Sequence, residues 1–244
     1  MYYFNKYFAV DRKKVIIGSG VIGSAFIDFY EKDQEICLYA AGVSNSQCIE
    51  NANYLRDKNT LVENMSKLKK NELLVYISTC SILTSSNRSS SRYIEHKMEM
   101  EELVRSYGRY LIMRLPQIAS FSKNPFTLLN YFKNKINNSE AFQVYKNSYR
   151  NILDVNHMAS ISEKVISNFS ENSIVNIANP ISVSVVEIVE EMEAALGKKA
   201  IYNFIDGLTD NYKIDVTRMM NCIDHSSYIF DDKYLNSVIK KYYK

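Results

Sequence analysis

Val15-Ile16-Ile17-Gly18-Ser19-Gly20-Val21-Ile22-Gly23 reads as a short β-branched strand that runs into a G-x-G-x-x-G loop and opens a helix. Each glycine has a separate job in such a loop. The first permits the tight turn, the second lets backbone approach a pyrophosphate, and the third lets the helix pack on its strand. Gly18, Ser19, Gly20, Val21, Ile22 and Gly23 are therefore the candidate cofactor loop. The acidic residue expected about twenty positions on, where a ribose hydroxyl would be held, has no clear candidate, which leaves NAD and NADP both open.

Outward from this loop, short apolar runs alternate with longer segments at helical spacing, the pattern of a parallel α/β sheet flanked by helices. Strands are predicted at residues 15–17, 36–40, 73–77 and 110–114, with helices at 20–30, 51–69 and 92–107. Beyond Pro116 the texture is mixed. It has an apolar stretch at 126–132, strands near 152–155 and 174–177, a helix near 158–169, and an amphipathic helix at 184–196 closed by Gly197. We place a cofactor half at residues 1–116 and a mainly substrate-binding half at 117–244, some of whose segments can return to the sheet.

The chain has 244 residues, 46% of them hydrophobic, enough to bury a full core. Its apolar runs are far shorter than the roughly 20 residues of a membrane span, and residues 1–10 lack the pattern of a signal peptide, so a cytoplasmic protein with no membrane partner is expected. Cys37, Cys48, Cys80 and Cys222 are scattered without metal or redox spacing and read as free thiols; no metal is expected. A net charge of +3 argues against nucleic acid as a partner. Lys240, Lys241 and Lys244, with Tyr242 and Tyr243, read as a solvated helix end.

Two further features carry chemistry. Tyr93 and Lys97 are four residues apart on a predicted helix, hence on one face, and a cation beside a phenol lowers its pKa from about 10 toward a usable acid/base range. Ser78-Thr79-Cys80-Ser81 follows a predicted strand, so hydroxyls emerge at the carboxyl edge of the sheet, where open α/β folds bind ligands.

With these pieces in order, the chain resembles the extended short-chain dehydrogenase/reductases that act on nucleotide sugars as epimerases, dehydratases and reductases. The resemblance is carried by Val75-Tyr76-Ile77-Ser78-Thr79, Tyr93 to Lys97 with the following Met98-Glu99-Met100-Glu101-Glu102-Leu103, Arg114-Leu115-Pro116-Gln117, and the segments 151–159 and 181–197. It implies a Rossmann-type fold with a smaller C-terminal lobe, NAD or NADP as cofactor, a nucleotide-sugar substrate, a part in carbohydrate biosynthesis and a homodimer. It also implies roles. Thr79 would polarise the substrate oxygen, Tyr93 would be the acid/base, and Lys97 would hold the nicotinamide ribose and lower the tyrosine pKa. Gln117 would contact substrate, and Arg150 would grip the diphosphate.

Departures from the family are equally specific. Ile17 or Gly18 must fill the first glycine place of T-G-x-x-G-x-x-G. Ile36-Cys37-Leu38-Tyr39-Ala40-Ala41-Gly42 resembles the fourth family strand, which lies over the cofactor, so Ala40, Ala41 and Gly42 join the cofactor set and the usual second and third strands read as missing. The exposed first strand would then be covered by residues 2–10 or by a second subunit. Cys80 and Ser81 stand where dehydratases carry an acidic pair, which argues against dehydration. His157, in place of a common aspartate, reads as structural, and His96 as a surface residue. A ketosugar reductase is favoured over an epimerase, because a reductase exchanges cofactor every turnover and suffers less from weak adenosine binding. A catalytically silent nucleotide-binding protein of the same fold is the alternative.

Overall fold

The computed structural model describes residues 15–30, 35–87, 91–168, 172–206 and 213–244. Its elements in chain order are β1 (Ile16–Ile17), α1 (Val21–Ala25), α2 (Ile27–Tyr30), β2 (Ile36–Tyr39), α3 (Asn51–Ser66), β3 (Leu73–Thr79), α4 (Arg92–Ser106) and β4 (Tyr110–Leu115). After these come β5 (Gln117–Ala119), α5 (Leu128–Asn137), β6 (Phe142–Tyr145), β7 (Tyr149–Arg150), β8 (Ile152–Asp154), α6 (Val155–Ser167) and β9 (Ser173–Asn176). The chain ends with β10 (Val183–Ser184), α7 (Val185–Leu196), β11 (Tyr202–Ile205), α8 (Thr217–Met220) and α9 (Tyr234–Tyr243).

The main sheet is parallel, in the order β1-β2-β3-β4-β9. All seven residues of β3 are buried, as a central strand covered on both faces must be. Its alternate residues feed two cores. Leu73, Val75 and Ile77 join Leu111, Met113 and Leu115 in the larger one, with Phe26, α6, α7 and α9. Leu74 and Tyr76 join Ile112, Leu61, Met100 and Val104 in the other, under α3 and α4. Strand β9, beyond residue 116, returns to pair with β4, and the larger core draws on residues from both sides of that position. Three two-stranded sheets, β5–β8, β7–β10 and β6–β11, form the rest.

The predicted helix at 20–30 is two helices. Phe26 closes α1 through its N–H to the Gly23 carbonyl and buries its ring completely, and Phe29 then restarts with an N–H to the Phe26 carbonyl. Gly197 ends α7 in the left-handed conformation at φ 62°, as expected from its place in the sequence. β1 pairs directly with β2 and stands at the edge of the described sheet, with only residues 31–35 between α2 and β2. The expectation that residues 2–10 cover this edge lies outside the described residues.

The C-terminal helix corrects one reading. Lys240, Lys241 and Lys244 are exposed, but Tyr242 and Tyr243 are buried with Tyr234, Leu235, Val238 and Ile239 along one stripe of α9. Asp154, the cap of α6, receives Lys241 Nζ at 2.7 Å and the Tyr242 hydroxyl at 3.0 Å. The Tyr234 hydroxyl meets His157 Nδ1 at 3.0 Å and accepts from the Asp154 N–H, so His157 helps dock this helix. Burial keeps the His157 imidazole below its ordinary pKa, against the pull of Asp154. No helix among the described residues is long and apolar enough to cross a membrane.

Candidate active site

The glycine loop works by close approach. Gly18 has φ +124°, and a Cβ there would sit 2.6 Å from the Ala40 carbonyl carbon and oxygen and 2.8 Å from the Ala41 nitrogen. A Cβ on Gly23 would lie 2.1 Å from the Gly18 carbonyl oxygen. Around Gly20, which caps α1, a Cβ would meet nothing within 4 Å among the described residues. The first and third glycines are thus fixed by packing, and the second faces open space where another group can approach. Ser19, Val21 and Ile22 complete the turn into α1.

This difference predicts opposite behaviour for two alanine variants. Gly23→Ala drives a methyl into backbone that cannot rotate away, so a loss of about 1–3 kcal/mol in denaturant unfolding is expected. Gly20→Ala has a permitted backbone angle and free space, so its stability should stay within about 1 kcal/mol of the parent. Equal stability of the two would contradict the packing described.

At the carboxyl edge of β3, Thr79 is the last strand residue. Its hydroxyl accepts from the Ser81 N–H at 3.1 Å and lies on the side of the Tyr93 phenol, whose pKa it lowers. Ser91 caps α4, accepting the Ile94 N–H through its side chain, and so fixes where Tyr93 begins the helix. Burial pushes the Tyr93 phenol up to about 12, with Thr79 opposing that rise and Tyr54 and Asp57 adding to it. The expectation that Lys97 lowers this pKa is therefore corrected for the protein alone. The Lys97 ammonium turns instead to the Tyr76 hydroxyl at 3.2 Å and the Ile77 carbonyl at 3.5 Å.

Lys97 is also tied to the glycine loop through the turn after β2. A Cβ on Gly42 would meet Lys97 Nζ at 2.6 Å, so Ala40 and Ala41 border Gly18 while Gly42 borders Lys97. Loop, turn, Thr79, Tyr93 and Lys97 share one end of the sheet. Gln117 and Arg150 lie on the smaller sheets. Gln117 pairs with Ile152 in β5–β8, and Arg150 with Val183 in β7–β10. The Arg150 guanidinium donates to Ser148 Oγ at 2.8 Å and the Tyr149 carbonyl at 2.6 Å.

His96 is not a surface residue. It is 1% exposed, and its Nε2 lies 2.9 Å from Asp57 Oδ2 in α3. Asp57 also accepts from the Tyr39 hydroxyl at 2.7 Å and the Val43 N–H at 3.1 Å. Burial alone would raise the Asp57 carboxyl, but His96, Lys97, Tyr39 and Val43 together hold it below its usual range. Both residues were readable by phase. Asp57 lies on the α3 stripe with Tyr54 and Leu61, and His96 on the α4 stripe with Tyr93 and Met100. The four cysteines are free. Burial pushes the Cys80 thiol up to about 12, and its Sγ meets the Arg114 carbonyl at 3.3 Å, so it is a packed group rather than a nucleophile. No metal-ligand cluster occurs among the described residues.

By sequence, no family model and no curated protein matches the chain. By structure it is similar to dTDP-glucose 4,6-dehydratase from Bacillus anthracis in complex with NAD, with a TM-score of 0.66 at 18% identity, covering 88% of this chain and 72% of that one. It is also similar to UDP-glucuronic acid 4-epimerase from Bacillus cereus in complex with UDP-glucuronic acid and NAD, with a TM-score of 0.66 at 14% identity, over 86% and 75% of the two chains. Thermus thermophilus UDP-glucose 4-epimerase in complex with NAD gives a TM-score of 0.62 at 15% identity, over 82% and 74%. At these identities the likeness shows the fold, and this chain folds as an α/β protein with a Rossmann-type parallel sheet flanked by helices.

Proposed function

We propose that this chain is a nicotinamide-dependent oxidoreductase of the short-chain dehydrogenase/reductase type that reduces a ketosugar carried on a nucleoside diphosphate. The observation that carries the reading is the placement of Thr79 and the buried Tyr93 phenol together at the carboxyl edge of β3, beside a turn that touches both the glycine loop and Lys97. The residues fit NAD or NADP. Gly20 leaves the approach open for a pyrophosphate, and Ala40, Ala41 and Gly42 form a small-residue floor next to it. The cofactor would supply the hydride. Thr79 would orient the sugar oxygen, Tyr93 would give it a proton, and Lys97 would hold ribose hydroxyls. The phenol starts protonated in the protein alone, as donation to a carbonyl requires.

Epimerisation is the second reading, favoured because several of the similar structures are epimerases. The two separate on cofactor use, since a reductase consumes one NADH or NADPH per sugar reduced and an epimerase none. We further propose that the sheet lacks the second and third strands of these enzymes. The five residues between α2 and β2 are fewer than the ten to twelve a crossover needs, and the chain spans about three quarters of each similar structure. The edge of β1 would then be covered by residues 2–10 or by a second copy in a homodimer. The division at 116 into cofactor and substrate halves belongs to the same reading, with localisation in the cytoplasm.

Titration with NADH and NADPH, followed by nicotinamide fluorescence, tests the reading directly. Saturable binding to the parent, lost in the stably folded Gly20→Ala variant, is the expected result. No binding of either nucleotide to the parent would overturn it in favour of a silent protein of this fold. In the second half, Arg150→Ala should weaken a nucleoside diphosphate about tenfold or more while leaving the free sugar unchanged, because a guanidinium holds phosphates through paired N–H groups. Equal losses for both ligands by calorimetry would remove Arg150 from the diphosphate site.

A further inference from the structure

Asp57, His96 and Lys97 are 2%, 1% and 4% exposed, a concentration of charge that packing alone does not call for. Asp57 joins four parts of the site. It sits on α3, bonds His96 on α4, bonds Tyr39 on β2, and holds the Val43 N–H in the turn that contains Gly42. Its Oδ2 would lie 3.4 Å from a Cβ on Gly42, and Lys97 Nζ 2.6 Å from the same point, which places the two charges within about 6 Å of each other. The other carboxylate near Lys97, Glu101, already receives two bonds from Arg114 and one from Ser78.

Resting on the site reading above, we propose that Asp57 is the positioning residue for Lys97. Its carboxylate, braced by His96, Tyr39 and Val43, is the buried counter-charge that holds the ammonium charged and in place beneath the Gly42 turn. The groups facing Lys97 are Asp57 from α3, Tyr76 and the Ile77 carbonyl from β3, and Tyr93 and Glu101 from its own helix, with Tyr39 of β2 beyond Tyr76. Burial keeps the Tyr76 phenol far above its ordinary range, so it stays neutral. Burial also lowers the Lys97 pKa, and Asp57 is the first of the two anions that oppose it. The ammonium is thus lost as pH rises through the folded-state value, and removing Asp57 brings that loss to lower pH.

The test is a pH titration of the lysine 13Cε signals in the cofactor-free protein, Lys97 being assigned by its absence in Lys97→Met. Asp57→Asn should move the Lys97 midpoint to lower pH, whereas His96→Asn, which removes a brace and keeps the charge, should leave it near that of the parent. If Asp57→Asn does not fold, the reciprocal coupling serves. The Asp57 carboxyl, followed by its 13Cγ signal, should titrate at higher pH in Lys97→Met than in the parent. Where the parent turns over substrate, the alkaline limb of Asp57→Asn should fall at lower pH, with a loss of about a hundredfold above it, comparable with a misplacement of about 1 Å. A Lys97 midpoint unchanged in folded Asp57→Asn, or moved as far by His96→Asn, overturns the proposal. So does an Asp57 titration unchanged in Lys97→Met. The carbon titrations need no cofactor, so absent NADH binding would sink the oxidoreductase reading and leave this result to stand or fall separately.

Discussion

Tyr93→Phe is expected to lower turnover by about 10²–10⁴-fold, the usual contribution of a positioned general acid, with little change in folding or in cofactor affinity. The ring of Tyr93 fills a small cluster with Val43 and Tyr54, and phenylalanine keeps that packing. Only the phenol oxygen is lost. That oxygen is protonated up to about pH 12 in the protein alone because burial disfavours the phenolate. Its readiness to donate should therefore not vary between pH 6 and 9, and any limb of the rate profile in that range must come from another group. Activity within a few-fold of the parent in single-turnover reduction, with NADH bound normally, would show that Tyr93 is not the acid.

Much of this arrangement is legible in the sequence for a definite reason. Apolar runs such as Val15-Ile16-Ile17 and Leu73-Leu74-Val75 belong to strands in which buried positions follow one another almost continuously. The packing of Gly18 and Gly23 follows the motif because each glycine answers a specific backbone approach. The failures are also physical. The break at Phe26 depends on where one ring finds its pocket, which periodicity over ten residues does not register. His96 is a titratable type, whose usual exposure outweighed its phase on α4, and Asp57, equally in phase on α3, is of a type that rarely lies buried. Tyr242 and Tyr243 were masked by neighbouring lysines, although the stripe from Tyr234 to Tyr242 repeats at helical spacing. The direction of the Lys97 ammonium is beyond spacing rules altogether, since it is set by Tyr76 and Ile77 on another element.

Glu101→Ala should destabilise the fold by about 3 kcal/mol, near the lower end of the range for breaking a buried ion pair. Glu101 is 3% exposed at its side chain and binds Arg114 by two bonds, Nε to Oε1 at 2.9 Å and Nη2 to Oε2 at 2.7 Å. It also accepts the Ser78 hydroxyl at 2.6 Å, so one carboxylate ties α4 to the ends of β3 and β4. Alanine would leave a guanidinium that cannot shed its charge and a hydroxyl without this partner. The Arg114 side chain is 15% exposed, so water reaches part of it and keeps the loss from the upper end of the range. For a chain of this size, such a loss corresponds to a fall in Tm of roughly 10 °C. Glu101→Gln should cost less, because an amide still accepts one of the donors. Arg114→Met in the Glu101→Ala background should recover part of the stability, since the unpaired charge, rather than the missing attraction, carries most of the cost. A double variant no more stable than Glu101→Ala alone, in denaturant unfolding, would mean that the carboxylate acts through Ser78 and α4 packing instead.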